Sequence, residues 1–555
     1  MVRSRESTFH PSHESYRWWL LANVMIGTFM AVLDATIVNV GLPKIMASFG
    51  VGIDKIEWVV TAYMLAMAVM LPTSGWLADK FGYKLVYFWG LLLFTFGSFL
   101  CGKSGDENML IISRVIQGLG AGAIQPIGMA IITREFPPNQ RGLALGINMV
   151  AAVAGSFIGL IIGGILAEIG WRWVFIANIP FGLAGTIWAY IALREIGIHK
   201  AAKIDWLGNI TFAVGLTLLL LGIVAGIAPS STSGSSWTSP IVLGLIISGI
   251  VLLIAFVFAE LHIKEPMFRM SLFRIRSFTA GNLAGMLSAI GRGGLQVMIV
   301  IWLQGIWLPM HGYSFAVTPL WAGIYMLPIA AGFLIAGPIS GRISDIYGPR
   351  LLATGGMILC AVTFALLMLL PADFPYYIFA ILIFLNGIAS GLFISPNTAA
   401  IMNSVPPESR GVASGMRAAF VNVGAPLSIA LYFTLMTIGL NATVPQALFD
   451  NLTQNGISAQ AAANLSHLPA VGYLFAALLG YNPLGSLLGQ DVLNSLPAAV
   501  VDKITSRTFF PQLISGPFQS GFAIVMVFSI VICLIAAAAS WMRGEKYIHE
   551  EAHKN

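Results

Sequence analysis

Fourteen continuous apolar runs constrain the fold of this chain more than any other feature of its sequence. A helix needs about 20 mostly apolar residues to cross roughly 30 Å of hydrocarbon, whereas a transmembrane barrel shows alternating segments of about ten residues. The runs are unbroken and lie near residues 18–41, 56–78, 84–103, 108–133, 142–167, 172–193, 206–228, 240–261, 277–308, 318–341, 350–371, 375–400, 411–437 and 517–542. Only 9% of the 555 residues are charged, against roughly 25% in a soluble domain. The sequence therefore predicts an all-α membrane protein with 14 transmembrane helices.

The distribution of lysine and arginine between the loops predicts the orientation of these helices. Of the 29 basic residues, 20 lie in the terminal tails and in the loops on the same side as the tails. The other side has six, namely Lys44, Lys55, Lys103, Arg172, Lys503 and Arg507. Because cytoplasmic loops carry an excess of lysine and arginine, we expect both termini in the cytoplasm and the protein in the cell (inner or plasma) membrane. The same distribution explains the net charge of +6 without a nucleic-acid partner.

The predicted organisation has five parts. They are a cytoplasmic tail (1–17), a six-helix bundle (18–195), two inserted transmembrane helices with linkers (196–270), a second six-helix bundle (271–542) and a cytoplasmic tail (543–555). Residues 440–516 are rich in Pro, Asn, Gly and Ser and are predicted to form a long extracellular loop. Within this loop, residues 467–480 are apolar enough to lie in the membrane interface, and whether they enter the bilayer stays open.

The two six-helix units repeat the same residues at constant spacing. Gly75, Asp79, Gly82 and Lys84 recur as Gly341, Asp345, Gly348 and Arg350, shifted by 266 residues. Seven further residues recur with a shift of 269: Gly118, Gly122, Pro137, Pro138, Arg141, Gly142 and Gly146 become Gly387, Gly391, Pro406, Pro407, Arg410, Gly411 and Gly415. Glycine and proline are common in membrane helices, but abundance alone does not explain a shared register. The register predicts two homologous bundles related by a pseudo-two-fold axis.

Four segments resemble a known transporter family. GWLADKFGYK (75–84) resembles the loop between spans 2 and 3 in the major facilitator superfamily. LDATIVNVGLP (33–43), SRVIQGLGAGAIQP (113–126) and WRWVFIANIP (171–180) resemble the fourteen-span drug/proton antiporters of that superfamily. The resemblance implies the major facilitator fold and proton-coupled transport.

Span 5 departs from the antiporter pattern at one position. GSFIGLIIGG (155–164) keeps Gly155, Gly159, Gly163 and Gly164 but has Leu160 where the family has proline. The glycines still permit close helix packing. The missing proline weakens the inference of antiport over other transport modes.

Asp34 is the one acidic residue deep inside a predicted span, and Arg114 in span 4 is its natural partner. A carboxylate in hydrocarbon is energetically costly and indicates function by default. The hypothesis is that Asp34 carries the coupling proton and that Arg114 tunes and senses its protonation. The alternative is a permanent structural ion pair.

The loop motif Gly75, Asp79, Lys80, Gly82 and Lys84 has a mechanical interpretation. An acidic residue near a helix end, with basic neighbours, can form a charge network and cap a neighbouring helix N-terminus. Such contacts would close the cytoplasmic side in one state of the cycle. Asp345 and Arg350 would form a weaker copy, and the alternative is a loop that is charged only for solubility.

Polar residues inside the spans are candidates for the wall of a substrate cavity. Arg292 in GRGG (291–294) is expected to contact an anionic or polar substrate group, to face Asp34 across the bundles, or to reach a membrane interface. The uncharged candidates are Asn39, Gln117, Gln125, Gln296, Gln304, Asn386, Asn397 and Asn422. The alternative for each is a hydrogen bond between helices.

The sequence thus favours a proton-coupled exporter of lipophilic or amphipathic small molecules, such as a multidrug transporter, working by alternating access. No phosphate-binding loop, metal-ligand spacing or nucleophile constellation is present in the sequence, so we expect no enzymatic activity, no metal and no cofactor beyond the proton gradient. The expected partners are a lipophilic substrate, protons and membrane lipids, with the protein a monomer. Two alternatives stay open: an exporter of a lipid or specific metabolite, and a non-transporting membrane sensor.

Overall fold

The structure is a computed structural model that describes residues 13–51, 53–195, 205–227, 236–263, 266–314, 317–466, 473, 482–506 and 508–544. Most of the two predicted tails and, apart from Tyr473, the apolar stretch 467–480 lie outside these ranges. The side chains of Asn39 and Leu160 also lie outside the described part.

Helices account for most of the described chain. The first bundle comprises α1 (His13–Phe49), α2 (Ile53–Phe81), α3 (Tyr83–Lys103), α4 (Glu107–Glu135), α5 (Arg141–Ile169), α6 (Arg172–Ile176) and α7 (Asn178–Ala192). The inserted pair is α8 (Trp206–Ile227) and α9 (Pro240–His262). The second bundle comprises α10 (Arg276–Arg292), α11 (Leu295–Trp302), α12 (Leu308–Met310), α13 (Thr318–Tyr325), α14 (Leu327–Tyr347), α15 (Pro349–Met368), α16 (Tyr376–Asn403), α17 (Arg410–Gln454), α18 (Ala459–Ser466), α19 (Leu484–Asn494), α20 (Ala498–Ile504) and α21 (Phe509–Trp541).

Within the described residues, 14 helical segments are long and apolar enough to cross a membrane, which confirms the predicted number. Helices α6 and α7 together form one segment, as do α10 to α12 and α13 to α14. The segment made by α10 to α12 has a turn at Gly293 and Gly294.

Two glycines make one-residue turns at equivalent places in the bundles. Gly82 joins α2 to α3 with φ 100° and ψ 147°, and Gly348 joins α14 to α15 with φ 90° and ψ 158°. This backbone region is accessible almost only to glycine. Consecutive helices can therefore reverse direction without a loop. We call the end of the molecule that carries these two turns and the loops 136–140 and 404–409 the basic face.

The bundles touch at the basic face through contacts that repeat by two-fold symmetry. A Cβ atom on Gly75 would lie 2.3 Å from the carbonyl oxygen of Gly411, and one on Gly341 would lie 2.1 Å from that of Gly142. Gly75 and Gly341 are repeats of each other, and so are Gly411 and Gly142. Since the backbones meet without room for a side chain, α2 packs on α17 as α14 packs on α5. The repeat in the sequence is thus a repeat in the structure.

The described residues between 440 and 516 are mostly helical, whereas their composition predicts a loop. Helix α17 continues to Gln454, three short helices follow within the described residues, and α21 begins at Phe509. An apolar stripe at four-residue spacing explains the extension, because its members are all buried: Leu440, Val444, Leu448 and Leu452. The polar residues form bonds within the helix, as Asn451 does by donating from Nδ2 to the Ala447 carbonyl at 2.9 Å. We call the described residues from 440 to 516 the helical cap.

Candidate functional site

Asp34 lies at the centre of a fully buried hydrogen-bond network inside the first bundle. Its Oδ2 accepts from Arg114 at 2.5 Å, and its Oδ1 accepts from the amide nitrogens of Gln117 and Asn178, each at 2.8 Å. The side chains of Asp34 and Arg114 are 0% and 1% exposed. The structure therefore brings the two predicted partners together and adds two amides that the sequence analysis had not assigned to the pair.

Arg114 is held on every side by the helices around it. Its Nε donates to the Val59 carbonyl at 3.0 Å, and its Nη1 also donates to Gln117 Oε1 at 2.7 Å. The guanidinium lies 4.0 Å from the centre of the Tyr63 ring, and Gln117 donates onward to Ser98 at 3.1 Å. The network thus connects α1, α2, α3, α4 and α7. A change of charge at Asp34 would therefore alter contacts between five helices of the first bundle.

A cavity of about 320 Å³ lies between the two bundles, within the range of small-molecule sites. Its apolar wall includes Val32, Met129, Met149, Ala152, Phe393, Ile394 and Val421. Its polar wall consists of Thr28, Gln125, Asn148, Asn282, Ser288, Arg292, Asn397, Arg417 and Asn422. Both bundles contribute to the wall.

Asp34 itself does not line this cavity. Val32, two residues earlier on α1, does. Residues two apart lie on nearly opposite faces of a helix, so the carboxyl points into the first bundle. In this conformation the network is sealed from the space between the bundles.

The predicted cavity residues divide into three groups. Gln125, Arg292, Asn397 and Asn422 line the cavity. Gln117 belongs to the Asp34 network, and Asn386 is buried in the second bundle, where it donates to Thr363 Oγ1 at 2.8 Å. Gln296 and Gln304 are not part of the cavity wall, and Gln296 is exposed.

Arg417 is a cavity residue that the sequence analysis did not single out. It lies on α17, donates to Thr398 Oγ1 at 2.7 Å and places Nη1 3.7 Å from the Met129 sulfur. Its sequence shift from Asn148 is 269 residues, the register of the internal repeat. Both residues line the cavity. The repeat register is therefore the feature of the sequence that could have identified Arg417 as the equivalent of Asn148.

At the basic face, acidic side chains lie against the first turn of a helix from the other bundle. Asp345 accepts from the backbone N–H groups of Gly142 and Leu143 at 2.9 and 3.1 Å. It thus caps the first turn of α5. In the symmetric place, a Cβ atom on Gly411 would lie 2.7 Å from Asp79 Oδ1.

The charged residues of the loop motif make several contacts that the sequence analysis did not predict. Asp79 accepts from the Tyr83 hydroxyl and lies 3.7 Å from Arg134, a cation that the sequence analysis did not name. Lys80 lies over the Trp76 ring, and Lys84 over the Tyr190 ring. Arg350 stacks on Trp541, at 3.8 Å from the ring centre, and donates to its carbonyl.

The span-5 glycines pack α5 against α1 beside Asp34. Cβ atoms on Gly155 and Gly159 would lie 2.7 Å and 3.0 Å from the carbonyl oxygens of Phe29 and Leu33. Gly163 meets Ile37 in the same way, whereas Gly164 has no neighbour within 4 Å. Close packing at three of the four glycines couples α5, a wall of the cavity, to the helix that carries Asp34.

Two homologous bundles that meet around a central cavity define a membrane transporter of the two-bundle type. The model of the Major Facilitator Superfamily matches residues 24–203 and 281–449. The chain belongs to this superfamily. The matched segments leave out residues 204–280, which contain α8 and α9.

Relatives of known name are transporters too. Multidrug transporter protein MdtP of Bacillus subtilis (strain 168) is 30% identical over 524 residues, which cover 93% of this chain and 92% of MdtP. Riboflavin transporter RibZ of Clostridioides difficile (strain 630) is 30% identical over 418 residues, or 75% of this chain and 87% of RibZ. The crystal structure of human MFSD10 has a TM-score of 0.53 at 13% identity, covering 86% of this chain and all of that one, and it supports the fold. The protein is therefore a transporter and not an enzyme.

Proposed function

We propose that this protein is a proton-coupled transporter that exports lipophilic or amphipathic small molecules by alternating access. The observation that carries the proposal is the buried pair of Asp34 and Arg114, sealed within the first bundle. The multidrug name of the relative MdtP supports a broad substrate range. The name of RibZ supports the alternative of one specific metabolite. We place the basic face in the cytoplasm, because the excess of lysine and arginine lies on that side.

The pair supplies a physical link between proton binding and conformation. With Asp34 ionised, the pair is neutral. A proton on Asp34 leaves Arg114 as a buried cation without its anion. Removing one partner of a buried pair costs about 3–5 kcal/mol, so a protonated Asp34 favours any conformation in which Arg114 gains water or a new acceptor. The cycle then requires states that expose the carboxyl to each side in turn.

The test compares Asp34→Asn with the wild type in two assays. A panel of lipophilic compounds is first screened for resistance in a drug-sensitive host and for thermal stabilisation of the purified protein. For compounds that are exported in the resistance screen or that stabilise the protein, transport is then measured in proteoliposomes with an imposed proton gradient. We expect Asp34→Asn to lose gradient-driven transport while it still binds the compound.

Asp373→Asn is the matched control, because Asp373 also lies near a basic side chain but is 64% exposed, 3.5 Å from His311. This variant should transport like the wild type. Full gradient-driven transport of a neutral compound by Asp34→Asn would exclude Asp34 as the proton carrier. A complete absence of proton flux with every stabilising compound would favour the sensor alternative.

A further inference from the structure

The charge of the central cavity is not balanced. Arg292 and Arg417 both line it, and no Asp or Glu of the described residues does. Neither arginine is in an ion pair with a carboxylate in the described part of the chain. Buried charges in proteins are normally paired, and an unpaired one inside a membrane bundle indicates function.

The hydrogen bonds of the two guanidinium groups leave capacity for a ligand. Arg292 donates to the hydroxyl groups of Ser288 and Ser390, and Arg417 donates to Thr398. These partners are neutral. The Nε atoms of both arginines are buried and have no hydrogen-bond partner. An arginine has five N–H donors that suit a planar or tetrahedral anion.

A third arginine adds positive charge close to the cavity. Arg543, just beyond α21, is buried and donates to the Oδ1 atom of the cavity residue Asn397. Burial lowers the pKa of Arg543 to about 10, so this side chain remains protonated at neutral pH. A cationic ligand in the cavity would therefore meet repulsion that no described acidic residue offsets.

We infer that the cavity binds amphipathic organic anions, whose carboxylate, sulfonate or phosphate group is held by Arg292 and Arg417. The apolar body of the ligand packs against Met129, Phe393 and Val421. This inference rests on the proposed transport function and narrows its substrate class. Asp34 is buried inside the first bundle and does not line the cavity, so its carboxylate does not offset the positive charge of the two arginines there.

The test uses two probes with the same apolar body, naphthalene-2-sulfonate and the neutral naphthalene-2-sulfonamide. Binding to the purified full-length protein in detergent is measured without a proton gradient, by calorimetry and by the shift in Tm. We expect the sulfonate to bind at least about tenfold more tightly, as a charge-assisted hydrogen bond implies. Equal affinity for the two probes, or tighter binding of a naphthyl trimethylammonium cation, would overturn the inference.

Variants locate the binding group. Arg292→Gln and Arg417→Gln should each weaken sulfonate binding by about tenfold to a hundredfold and weaken sulfonamide binding much less, because that probe carries no charge. Arg292→Lys and Arg417→Lys keep the charge and should retain part of the affinity, which separates loss of binding from loss of folding. Arg276→Gln is the control, because Arg276 is exposed at the other end of α10. An equal loss for both probes in the glutamine variants would also contradict the inference.

Two sources of the anion are distinguished by competition. The sulfonate is bound to the protein in nanodiscs that contain either phosphatidylglycerol or phosphatidylcholine. If only phosphatidylglycerol displaces the sulfonate, the site binds an anionic lipid headgroup. Displacement by neither lipid, with transport of the sulfonate, would assign it to soluble anions. The protein could also show gradient-driven transport of neutral compounds while the sulfonate fails to bind. This result would refute the anion site and leave the proposed function intact.

Discussion

We predict that the backbone contact between Gly75 and Gly411 determines how tightly the basic face closes, and adding a single methyl group tests this prediction. In Gly75→Ala, the new Cβ would lie 2.3 Å from the Gly411 oxygen and 2.8 Å from its carbonyl carbon. Both obstacles are backbone atoms, which cannot rotate away as a flexible side chain does. Helices α2 and α17 must therefore separate by about 1 Å to restore van der Waals distances.

The cost of this separation applies only while the face is closed. Overpacking by one methyl group typically costs about 1–3 kcal/mol. In an alternating-access cycle the bundles separate here in the opposite state, where the methyl group has space. The equilibrium should therefore shift toward the open basic face by about 5-fold to 150-fold. Gly341→Ala, the symmetric change, should act in the same direction, because its Cβ would lie 2.1 Å from the Gly142 oxygen.

Electron–electron resonance distances between spin labels at Phe81 and Tyr347 measure the opening directly. These positions are symmetric, lie on different bundles and are 44% and 81% exposed. Labelling uses a background in which Cys101, Cys360 and Cys533 are replaced. We expect Gly75→Ala to enrich the long-distance population.

Gly355→Ala is the control for a helical glycine changed to alanine, since nothing lies within 4 Å of its Cβ position. It should leave the distances as they are. If Gly75→Ala folds and also leaves the distance distribution unchanged, the backbone contact does not determine closure and the reasoning is wrong.

Two further predictions concern the cap of α5 and the helical cap. Asp345→Ala removes the acceptor of the Gly142 and Leu143 N–H groups. This change should cost about 0.5–2 kcal/mol and enrich the long-distance population in the same spin-label measurement. An unchanged distance distribution would mean that this cap does not hold the basic face closed. Leu448→Ala leaves a cavity in the buried stripe of the helical cap, which should cost about 2–5 kcal/mol and accelerate limited proteolysis of the helical cap. The control is Ile438→Ala, an exposed position on the same helix, which should not accelerate cleavage. Equal cleavage of both variants would mean that the stripe does not stabilise the helical cap.

The fold could be predicted largely from the sequence, because hydrocarbon permits few solutions. Backbone groups in lipid must bond within a helix or a closed barrel, so the lengths of the apolar runs gave the number of spans. The internal register gave the symmetry of the contacts at Gly75 and Gly341. The helical cap was missed, because Pro445 and several asparagines suggested a loop. At this position the decisive feature is the apolar stripe ending at Leu452, which lies among polar residues and is too short to resemble a span.

The site was harder to predict, because it depends on which faces of the helices meet. The sequence could nominate Asp34 and Arg114, since charges inside spans are rare. It could not assign Gln117 and Asn178 to the same carboxylate, because an amide inside a helix has many possible partners. Arg417 lies close enough to an end of span 13 to resemble an ordinary flanking charge. Apart from the repeat register that relates it to Asn148, only its position on the cavity wall distinguishes it.

The two-fold symmetry also shows what the bundles do not share. The contacts of the basic face occur twice, at Gly75 with Gly411 and at Gly341 with Gly142. The buried pair of Asp34 and Arg114 does not recur at the equivalent positions of the second bundle. A shift of 269 residues takes Arg114 to Ile383, which is buried and apolar, and takes Gln117 to Asn386, which bonds to Thr363. In its described part, the second bundle therefore lacks the ion pair of the first at the equivalent positions, although it repeats the helices.

The converse holds for the cavity wall, where the same shift takes Asn148 of the first bundle to Arg417 of the second. Arg292 is also on the second bundle, so both cationic groups of the wall belong to one half of the molecule. Asp34, the proposed proton carrier, belongs to the other half. Because the two halves meet through the same pair of contacts at the basic face, a proton on the first bundle and an anion on the second, as proposed above, would act on the same equilibrium. Coupling between them then needs no direct contact, only that each ligand favours a different state of the basic face.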